Sequence, residues 1–276
     1  KIIIPGAAGL VGQNLIVQKE STIEYITNLS NVSKLKGFLV SPFLQSEKNR
    51  MFLVHPDFYF NGEVSDKDYC SLKKINHPSK KYTEQEHPIE VSKTEYLQQI
   101  ESIIGAIKEN IIQKAVLSRV KIIEGHFEDQ LAELFSKLCN SFPNAFVYLF
   151  KADEHFWMGA TPEPFARLKD NVFRTSSVAG TRENTKEFQQ FENWQNKEIE
   201  EQQFVSDHIR RTLEAANWTN ISHLGPYVKK AGNMLHLRTD FTTNINDVNG
   251  NIGYLLESLH PTPAVCGYPS KEALEI

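Results

Sequence analysis

Lys114, in the stretch QKAVLSRV, is the first of three charged residues whose surroundings could support acid–base or metal chemistry. Its neighbours are apolar, and we expect them to form a buried strand. A lysine that loses its hydration gives up its proton more readily, so it can act as a base near neutral pH. The alternative is that strand alternation turns Lys114 towards solvent, where most lysines lie.

Glu163 lies between two prolines in the stretch GATPEPFARL. Prolines on both sides restrict the backbone and would hold the carboxyl group in one place. A fixed carboxyl group suits a general acid, which must lie within hydrogen-bonding reach of its leaving group. The alternative is an ordinary exposed glutamate in a turn.

Glu201 belongs to the stretch KEIEEQQFVSDHI, which is predicted to be helical. It precedes Val205 by four residues and Ile209 by eight, which places it on the apolar stripe of that helix. A carboxylate on a buried face needs a cation, a hydrogen-bond donor or a metal. Mg²⁺ fits such a carboxylate, because this ion takes oxygen ligands and often uses one or two carboxylates together with oxygens of the substrate. The alternative is a salt bridge at the helix rim.

Three further stretches carry weaker signals. SSVAGTR places Gly180 in a small-residue turn, where backbone N–H groups could meet an anion, although it could also be a plain strand turn. His236 lies mid-strand in MLHLRT, where a histidine can be catalytic or simply a satisfied core residue. The loop LHPTPAVCG around Thr262 is held by prolines and could line a site or merely end a strand.

The elements that must position these residues can be read from periodicity and capping signals. Ser92 and Glu95 have the spacing of a capping box and predict the start of a helix. Further helices are predicted over 131–138 and 197–216, and strands within 36–60 and over 111–123, 145–151 and 234–241. Strands and helices mix without strict strand–helix–strand alternation. We therefore expect an α+β fold with antiparallel sheets packed face to face and helices outside.

Composition limits the class of protein. The 276 residues are 40% hydrophobic and 23% charged, with a net charge of −4, as in ordinary globular proteins. Basic residues form no run that indicates a nucleic-acid partner, and no apolar run is long enough to cross a membrane. The three cysteines, Cys70, Cys139 and Cys266, are widely spaced without a CxxC pair. With no convincing signal peptide, we expect a cytoplasmic protein.

Six stretches resemble the chorismate-utilising enzymes, which include isochorismate, salicylate, anthranilate and aminodeoxychorismate synthases. They occur in the family's order within roughly residues 36–276, and they are QKAVLSR, GATPEPFARL, VAGTR, KEIEEQQFVSDHI, NMLHLRT and LHPTPAVCGYP. The resemblance implies the fold of this family, with a chorismate-binding domain over residues 21–276. Family members continue well beyond the position that matches Ile276, so this domain is expected to be incomplete at its C-terminal end.

Details within the motifs distinguish members of the family. Lys114 matches the lysine that isochorismate synthases use as a base, where amine-adding relatives typically carry glutamine. Ala179 stands where aminodeoxychorismate synthases often have a nucleophilic lysine. LHPTPAV is similar to the isochorismate synthase form of its loop. The resemblance therefore implies the conversion of chorismate to isochorismate, in menaquinone or siderophore biosynthesis. The alternative is a salicylate synthase, which shares the lysine and then eliminates pyruvate.

The resemblance also implies a role for each site residue. Lys114 would deprotonate a water that attacks C2 of chorismate, and Glu163 would protonate the leaving C4 hydroxyl from the other face. Mg²⁺ held by Glu201 would grip the ring carboxylate. The remaining substrate-binding residues implied are Gly180 and Thr181 at a carboxylate, His236 near the ring, and Ala264 as a pocket wall. A monomer acting on this small molecule is expected.

Residues 1–20 do not resemble this family. Gly6, Gly9 and Gly12 have a GxxGxxG spacing similar to the first turn of NAD-dependent epimerases and dehydrogenases. No YxxxK pair or acidic second-strand end supports that alternative, so the segment stays unassigned, as a fusion remnant or a chance pattern. A non-catalytic relative that only binds a partner is a further alternative. The presence of Lys114, Glu163 and Glu201 together argues against a non-catalytic relative.

Overall fold

The computed structural model describes most of the chain and divides it into two compact units. The first unit comprises Lys1–Glu86 and Gly125–Pro164, and the second comprises His87–Glu124 and Phe165–Ile276. The residues described are 2–5, 13–17, 24–35, 37–47, 49–55, 57–61, 67, 70, 88–152, 155–161, 164–218, 220–245 and 251–276.

Strands and helices alternate irregularly along the described residues. In chain order the strands are β1 (Ile2–Pro5), β2 (Gln13–Val17), β3 (Glu24–Ile26), β4 (Phe38–Val40), β5 (Met51–Val54), β6 (Phe58–Asn61), β7 (Lys114–Ala115), β8 (Phe146–Ala152), β9 (His155–Thr161), β10 (Ala166–Lys169), β11 (Val172–Glu183), β12 (Ser222–Ala231), β13 (Met234–Asn244) and β14 (Gly267–Tyr268). The α-helices are α1 (Lys93–Lys108), α2 (Leu131–Ser141), α3 (Asn196–Ala215), α4 (Ile252–Leu259) and α5 (Ser270–Glu275).

The first unit contains two antiparallel sheets and helix α2. One sheet has the order β6-β2-β1-β8-β9, and the other has the order β3-β5-β4. Phe150 of β8 and Val54 of β5 are both buried and share a cluster with Phe38, Phe52 and Tyr148. The strands predicted within 36–60 and over 145–151 are confirmed, as is the helix predicted over 131–138.

The second unit is built on a four-stranded antiparallel sheet with the order β10-β11-β13-β12. Along β13, every second residue from Leu235 to Thr243 is buried, which is the period-2 pattern of a strand with one covered face. Helix α3 covers that face. Its Val205, Ile209 and Leu213 are buried in one cluster with Phe173 of β11 and Phe241 of β13.

Local capping signals locate two helix starts. The Ser92 hydroxyl accepts a 3.2 Å hydrogen bond from Glu95 N, and Ser92 N donates over 2.8 Å to the Glu95 carboxylate. This is the predicted capping box, and α1 begins directly after it. Helix α3 begins with a second capping box between Gln195 and Glu198. The helix predicted over 197–216 is therefore confirmed, with bounds one residue earlier.

The strand predicted over 111–123 is wrong in length. Only Lys114–Ala115 forms a strand, because its partner β14 is itself two residues long. Beyond it the apolar side chains of Val116, Val120 and Ile123 are exposed. Strand β12, whose residues are mostly exposed, was not predicted. Helix α4 was also not predicted, although Ile252, Leu255 and Leu259 recur at helical spacing.

The expected α+β class is confirmed, and every strand pair described is antiparallel. Gly6, Gly9 and Gly12 lie outside the described residues. The strands on either side of them, β1 and β2, pair antiparallel with Ile2 opposite Ile16, unlike the strand–helix–strand unit of a dinucleotide-binding turn. Within the described ranges, no helix combines the length and apolar character needed to cross a membrane.

Candidate active site

Lys114 is fixed by the short ladder between β7 and β14. Lys114 pairs with Tyr268, and the ladder continues through a 2.8 Å bond from Gln113 N to the Tyr268 carbonyl. The two backbones approach closely at Gly267, where a Cβ would lie 2.5 Å from the Lys114 carbonyl oxygen. The Lys114 side chain is only 13% exposed, so strand alternation does not turn it to solvent.

The ammonium group of Lys114 joins three segments that are distant in the chain. Its Nζ lies 3.0 Å from Oε1 of Glu201 on α3. It also donates a 2.9 Å hydrogen bond to the carbonyl of Pro263, in the loop LHPTPAV. Three of the six family-like stretches therefore meet at one charged group.

Glu201 lies at the edge of the buried stripe of α3 instead of on it. The stripe runs through Glu198, Gln202 and Val205, whereas the Glu201 side chain is 33% exposed. The salt bridge that sequence left open for Glu201 is thus formed, and its partner is Lys114. The partial exposure leaves the carboxylate accessible to a cation or substrate from solvent.

A β-bulge at Gly180 interrupts the pairing of β11 with β13. Ala179 pairs with Leu237 and Thr181 with His236, so Gly180 is the extra residue. Its φ is +69°, and a Cβ there would lie 3.0 Å from Glu198 Cβ and 3.2 Å from the Glu198 carbonyl. Glycine suits this position for both reasons, and a β-bulge within β11 stands where the sequence predicted a small-residue turn or a plain strand turn, so both of these predictions are wrong.

The bulge places Thr181 beside His236. Thr181 Oγ1 lies 3.1 Å from His236 Nδ1, and the Gly180 carbonyl lies 3.2 Å from the same nitrogen. Since a carbonyl only accepts, Nδ1 carries the proton in the contact with Gly180. His236 is half-buried and locally satisfied, on the sheet face opposite its buried neighbours Leu235 and Leu237.

Ala264 follows the carbonyl that holds Lys114. It is half-buried and packs against the core cluster that contains Val205 and Ile209. The loop around it is closed by bonds from Val265 N and Cys266 N to the Thr262 carbonyl, each 3.1 Å long. Ala264 is therefore held in a rigid loop between the core and Lys114. Glu163 lies outside the described residues.

Two further residues, Arg182 and Glu198, were not singled out from the sequence. Arg182 Nη2 lies 2.7 Å from Glu198 Oε1, and the side chains are 25% and 12% exposed. The signal for Glu198 was present, since it stands three residues after the capping residue Gln195 and seven before buried Val205. Nothing local indicated that Arg182 would be its partner.

The chain combines an α+β fold of antiparallel sheets with a lysine beside a helix glutamate and a glycine bulge. A family described as "Chorismate binding enzyme" matches residues 59–276. The chain belongs to this family, as the resemblance predicted.

Individual relatives agree with that assignment. The vibriobactin-specific isochorismate synthase of Vibrio cholerae serotype O1 is 26% identical over 190 residues, covering 66% of this chain and 48% of that protein. The isochorismate synthase MenF of Escherichia coli is 30% identical over 184 residues, covering 64% of this chain and 42% of that protein. The chain thus spans about half the length of the curated relatives it matches.

A solved structure confirms the fold over nearly the whole chain. The structure of MenF, the menaquinone-specific isochorismate synthase from Escherichia coli, superposes with a TM-score of 0.72 at 19% identity. The superposition covers 99% of this chain and 71% of that one. At this identity the likeness establishes the architecture alone.

Proposed function

We propose that the protein catalyses the magnesium-dependent, reversible conversion of chorismate to isochorismate. The observation that carries this proposal is the meeting of Lys114, Glu201 and Pro263 at one charged group. Membership of the chorismate-binding enzymes and the names of the two relatives support it.

In the proposed reaction Lys114 acts in its neutral amine form and accepts a proton from a water, and the water oxygen forms a bond to C2 of the ring. The double bonds shift and the C4–O bond breaks. Glu163 gives its proton to the departing hydroxyl, which leaves as water. One water enters and one leaves, so the net change is an isomerisation, and base and acid begin in opposite protonation states.

The donor atoms near Lys114 suit magnesium. Glu201 offers one partly exposed carboxylate, and Mg²⁺ commonly takes one or two carboxylates, completing its shell with substrate oxygens and water. Among the described residues, no cluster of three or more His, Cys, Asp or Glu side chains forms a self-sufficient metal site. Bound at Glu201, the ion would offset the negative charge of the ring carboxylate. Lys114 would keep its bond to the Pro263 carbonyl when the carboxylate engages a cation.

The remaining roles concern substrate binding. We assign backbone and hydroxyl contacts with a substrate carboxylate to Gly180 and Thr181, since the bulge breaks the regular ladder there. His236 would lie near the ring, held in position by its contact with Thr181. Ala264 would form a wall of the pocket, because the rigid loop fixes it close to Lys114.

Product analysis of the full-length protein tests this function. Incubation with chorismate and Mg²⁺, followed by chromatography, should yield isochorismate, and EDTA should stop its formation. Salicylate with pyruvate would instead assign the chain to the salicylate synthases. Unchanged chorismate in the presence of Mg²⁺ would contradict both reactions.

Several broader expectations remain part of this proposal. We infer that residues 21–276 form the chorismate-binding domain of a monomeric, cytoplasmic enzyme. The product would serve menaquinone or siderophore biosynthesis, as the names of the relatives suggest. A size-exclusion profile of the full chain with light scattering would test the monomer.

A further inference from the structure

We propose that Arg182 is a positioning residue that, through Glu198, holds the first turns of α3 where Glu201 can bind magnesium beside Lys114. This inference rests on the proposed function for the assignment of the metal to Glu201. It goes beyond that function because neither Arg182 nor Glu198 is one of the residues assigned to the chemistry.

The bulge at Gly180 is what places Arg182 on the helix side of the sheet. Along β11, alternate residues up to Ala179 are buried on the face covered by α3. One extra residue in a strand moves every later side chain to the opposite face. Thr181 therefore lies with His236, and Arg182 pairs with Leu235, which is buried on the helix-covered face.

The contact between Arg182 and Glu198 is short and partly buried. Arg182 Nη2 lies 2.7 Å from Glu198 Oε1, a distance typical of a charge-assisted hydrogen bond. The guanidinium lies 4.9 Å from the centre of the Phe188 ring. Among the described residues, Arg182 Nε has no hydrogen-bond partner although it is buried. The arginine is thus held by one carboxylate and one ring face.

Glu198 transmits this contact to the start of the helix. Its second carboxylate oxygen accepts a 3.2 Å bond from Gln195 N, as part of the capping box. Its Cβ and carbonyl lie close above Gly180, with no room for a side chain there. The first turn of α3 is therefore fixed to the bulge by an ion pair and by direct backbone packing.

Glu201 lies less than one turn further along the same helix. Three residues correspond to about 4.5 Å along the axis, and residues three apart are neighbours on the helix surface. A shift of the first turn would thus change the position of the Glu201 carboxylate relative to Lys114. Metal sites respond strongly to such changes, and removal of groups that orient a ligand costs about 10- to 100-fold in affinity or activity.

A second, independent anchor explains why the helix should still fold without Arg182. The buried Gln202 side chain donates to Ser177 Oγ over 2.8 Å and to Thr239 Oγ1 over 3.0 Å. Ser206 Oγ donates a 2.9 Å bond to the side-chain amide oxygen Oε1 of Gln202. These bonds hold α3 on the sheet from Gln202 onward, so loss of the ion pair should affect mainly the residues before Gln202, which include Glu201.

The test compares Arg182→Ala, Arg182→Lys and Glu198→Gln with a control on the same helix, Arg210→Ala. Arg210 pairs with Asp207 at 2.9 Å, but its side chain is 54% exposed and distant from the bulge along the helix. Affinity for Mg²⁺ and Mn²⁺ is measured by calorimetry on the full chain. KM, kcat and the Mg²⁺ dependence of turnover are measured in parallel, and circular dichroism checks the fold.

We expect Arg182→Ala and Glu198→Gln to weaken metal binding about 10- to 100-fold while the chain stays folded. Arg182→Lys should recover part of this loss, and Arg210→Ala should match the wild type. Wild-type metal affinity in folded Arg182→Ala, or a wild-type chain that binds neither ion, would overturn the inference. If Arg182→Ala does not fold, the metal affinity of Glu198→Gln tests the inference instead. Absence of turnover by a metal-binding wild type contradicts the proposed function instead, and the calorimetry still decides the role of Arg182.

Discussion

The ammonium group of Lys114 lies 3.0 Å from a carboxylate oxygen of Glu201, although a short strand carries one residue and a long helix the other. Each of these residues had an alternative explanation when considered alone. Their direct contact brings the two charged groups together, and the carbonyl of Pro263 gives the lysine a second anchor.

Replacement of the proposed base should remove turnover and leave the fold intact. Lys114→Ala should lower kcat for isochorismate formation by about 100- to 10,000-fold, the usual contribution of a positioned proton-transfer group. Lys121→Ala is the control, because this lysine is exposed on the same segment. Equal turnover in both variants, measured by chromatography under saturating chorismate, would remove Lys114 from the mechanism.

The response to magnesium should depend on Glu201. Glu201→Gln replaces an anionic oxygen ligand with a neutral amide, so the Mg²⁺ concentration that gives half-maximal turnover should rise by about tenfold or more. Its neighbour Glu200 is exposed, and Glu200→Gln should behave like the wild type. The Mg²⁺ titration would speak against this metal ligand if the two variants gave the same curve.

A side chain at Gly180 should be costly, because the bulge has a positive φ there and leaves no room for a Cβ. The φ of +69° and the 3.0 Å approach to Glu198 Cβ predict that Gly180→Ala destabilises the fold by about 1–3 kcal/mol. Gly105→Ala is the matched control. Its Cβ would meet no atom within 4 Å in α1, and the change should stabilise the helix slightly. Urea unfolding measures the stability of both variants, and equal midpoints for the two would contradict the strain predicted at Gly180.

Stability should fall between neutral and mildly acidic pH because of His208. Burial lowers the pKa of His208, and its bond to the Leu259 carbonyl opposes this shift only in part. The folded chain therefore binds this proton less readily than the unfolded chain. The resulting stability is complete above about pH 6.5, the ordinary value for histidine, and is lost as pH falls through the lower folded-state pKa.

The variant His208→Gln should show a flatter dependence of unfolding free energy on pH between 7.5 and 5. His126→Gln, at an exposed position, should retain the slope of the wild type. Urea titrations across this range measure both. A wild-type slope in His208→Gln would assign the pH dependence to other groups.

The parts of the fold with local signals could be predicted from sequence. The helix after Ser92 was predictable because its capping box involves residues three apart. Helix α3 and strand β13 were predictable because each has one covered face, which imposes a clear period on the sequence. The family-like motifs also singled out Lys114 and Glu201, whose side chains are in direct contact in the structure.

Features that depend on distant partners were not predictable. The length of β7 is set by β14, so the apolar run after Lys114 wrongly indicated a longer strand. The bulge at Gly180 depends on the register of β11 against β13, which no short window contains. Because that bulge decides which face Arg182 occupies, its ion pair with Glu198 was also beyond the sequence.

In the proposed mechanism Lys114 activates a water whose oxygen becomes part of the product. This step is tested by turnover of chorismate by the full-length protein in ¹⁸O-labelled water with Mg²⁺, followed by mass spectrometry of the isochorismate. The proposed mechanism predicts one ¹⁸O atom, in the C2 hydroxyl, and loss of the labelled product in Lys114→Ala. Isochorismate formed without ¹⁸O would contradict the attack of water at C2.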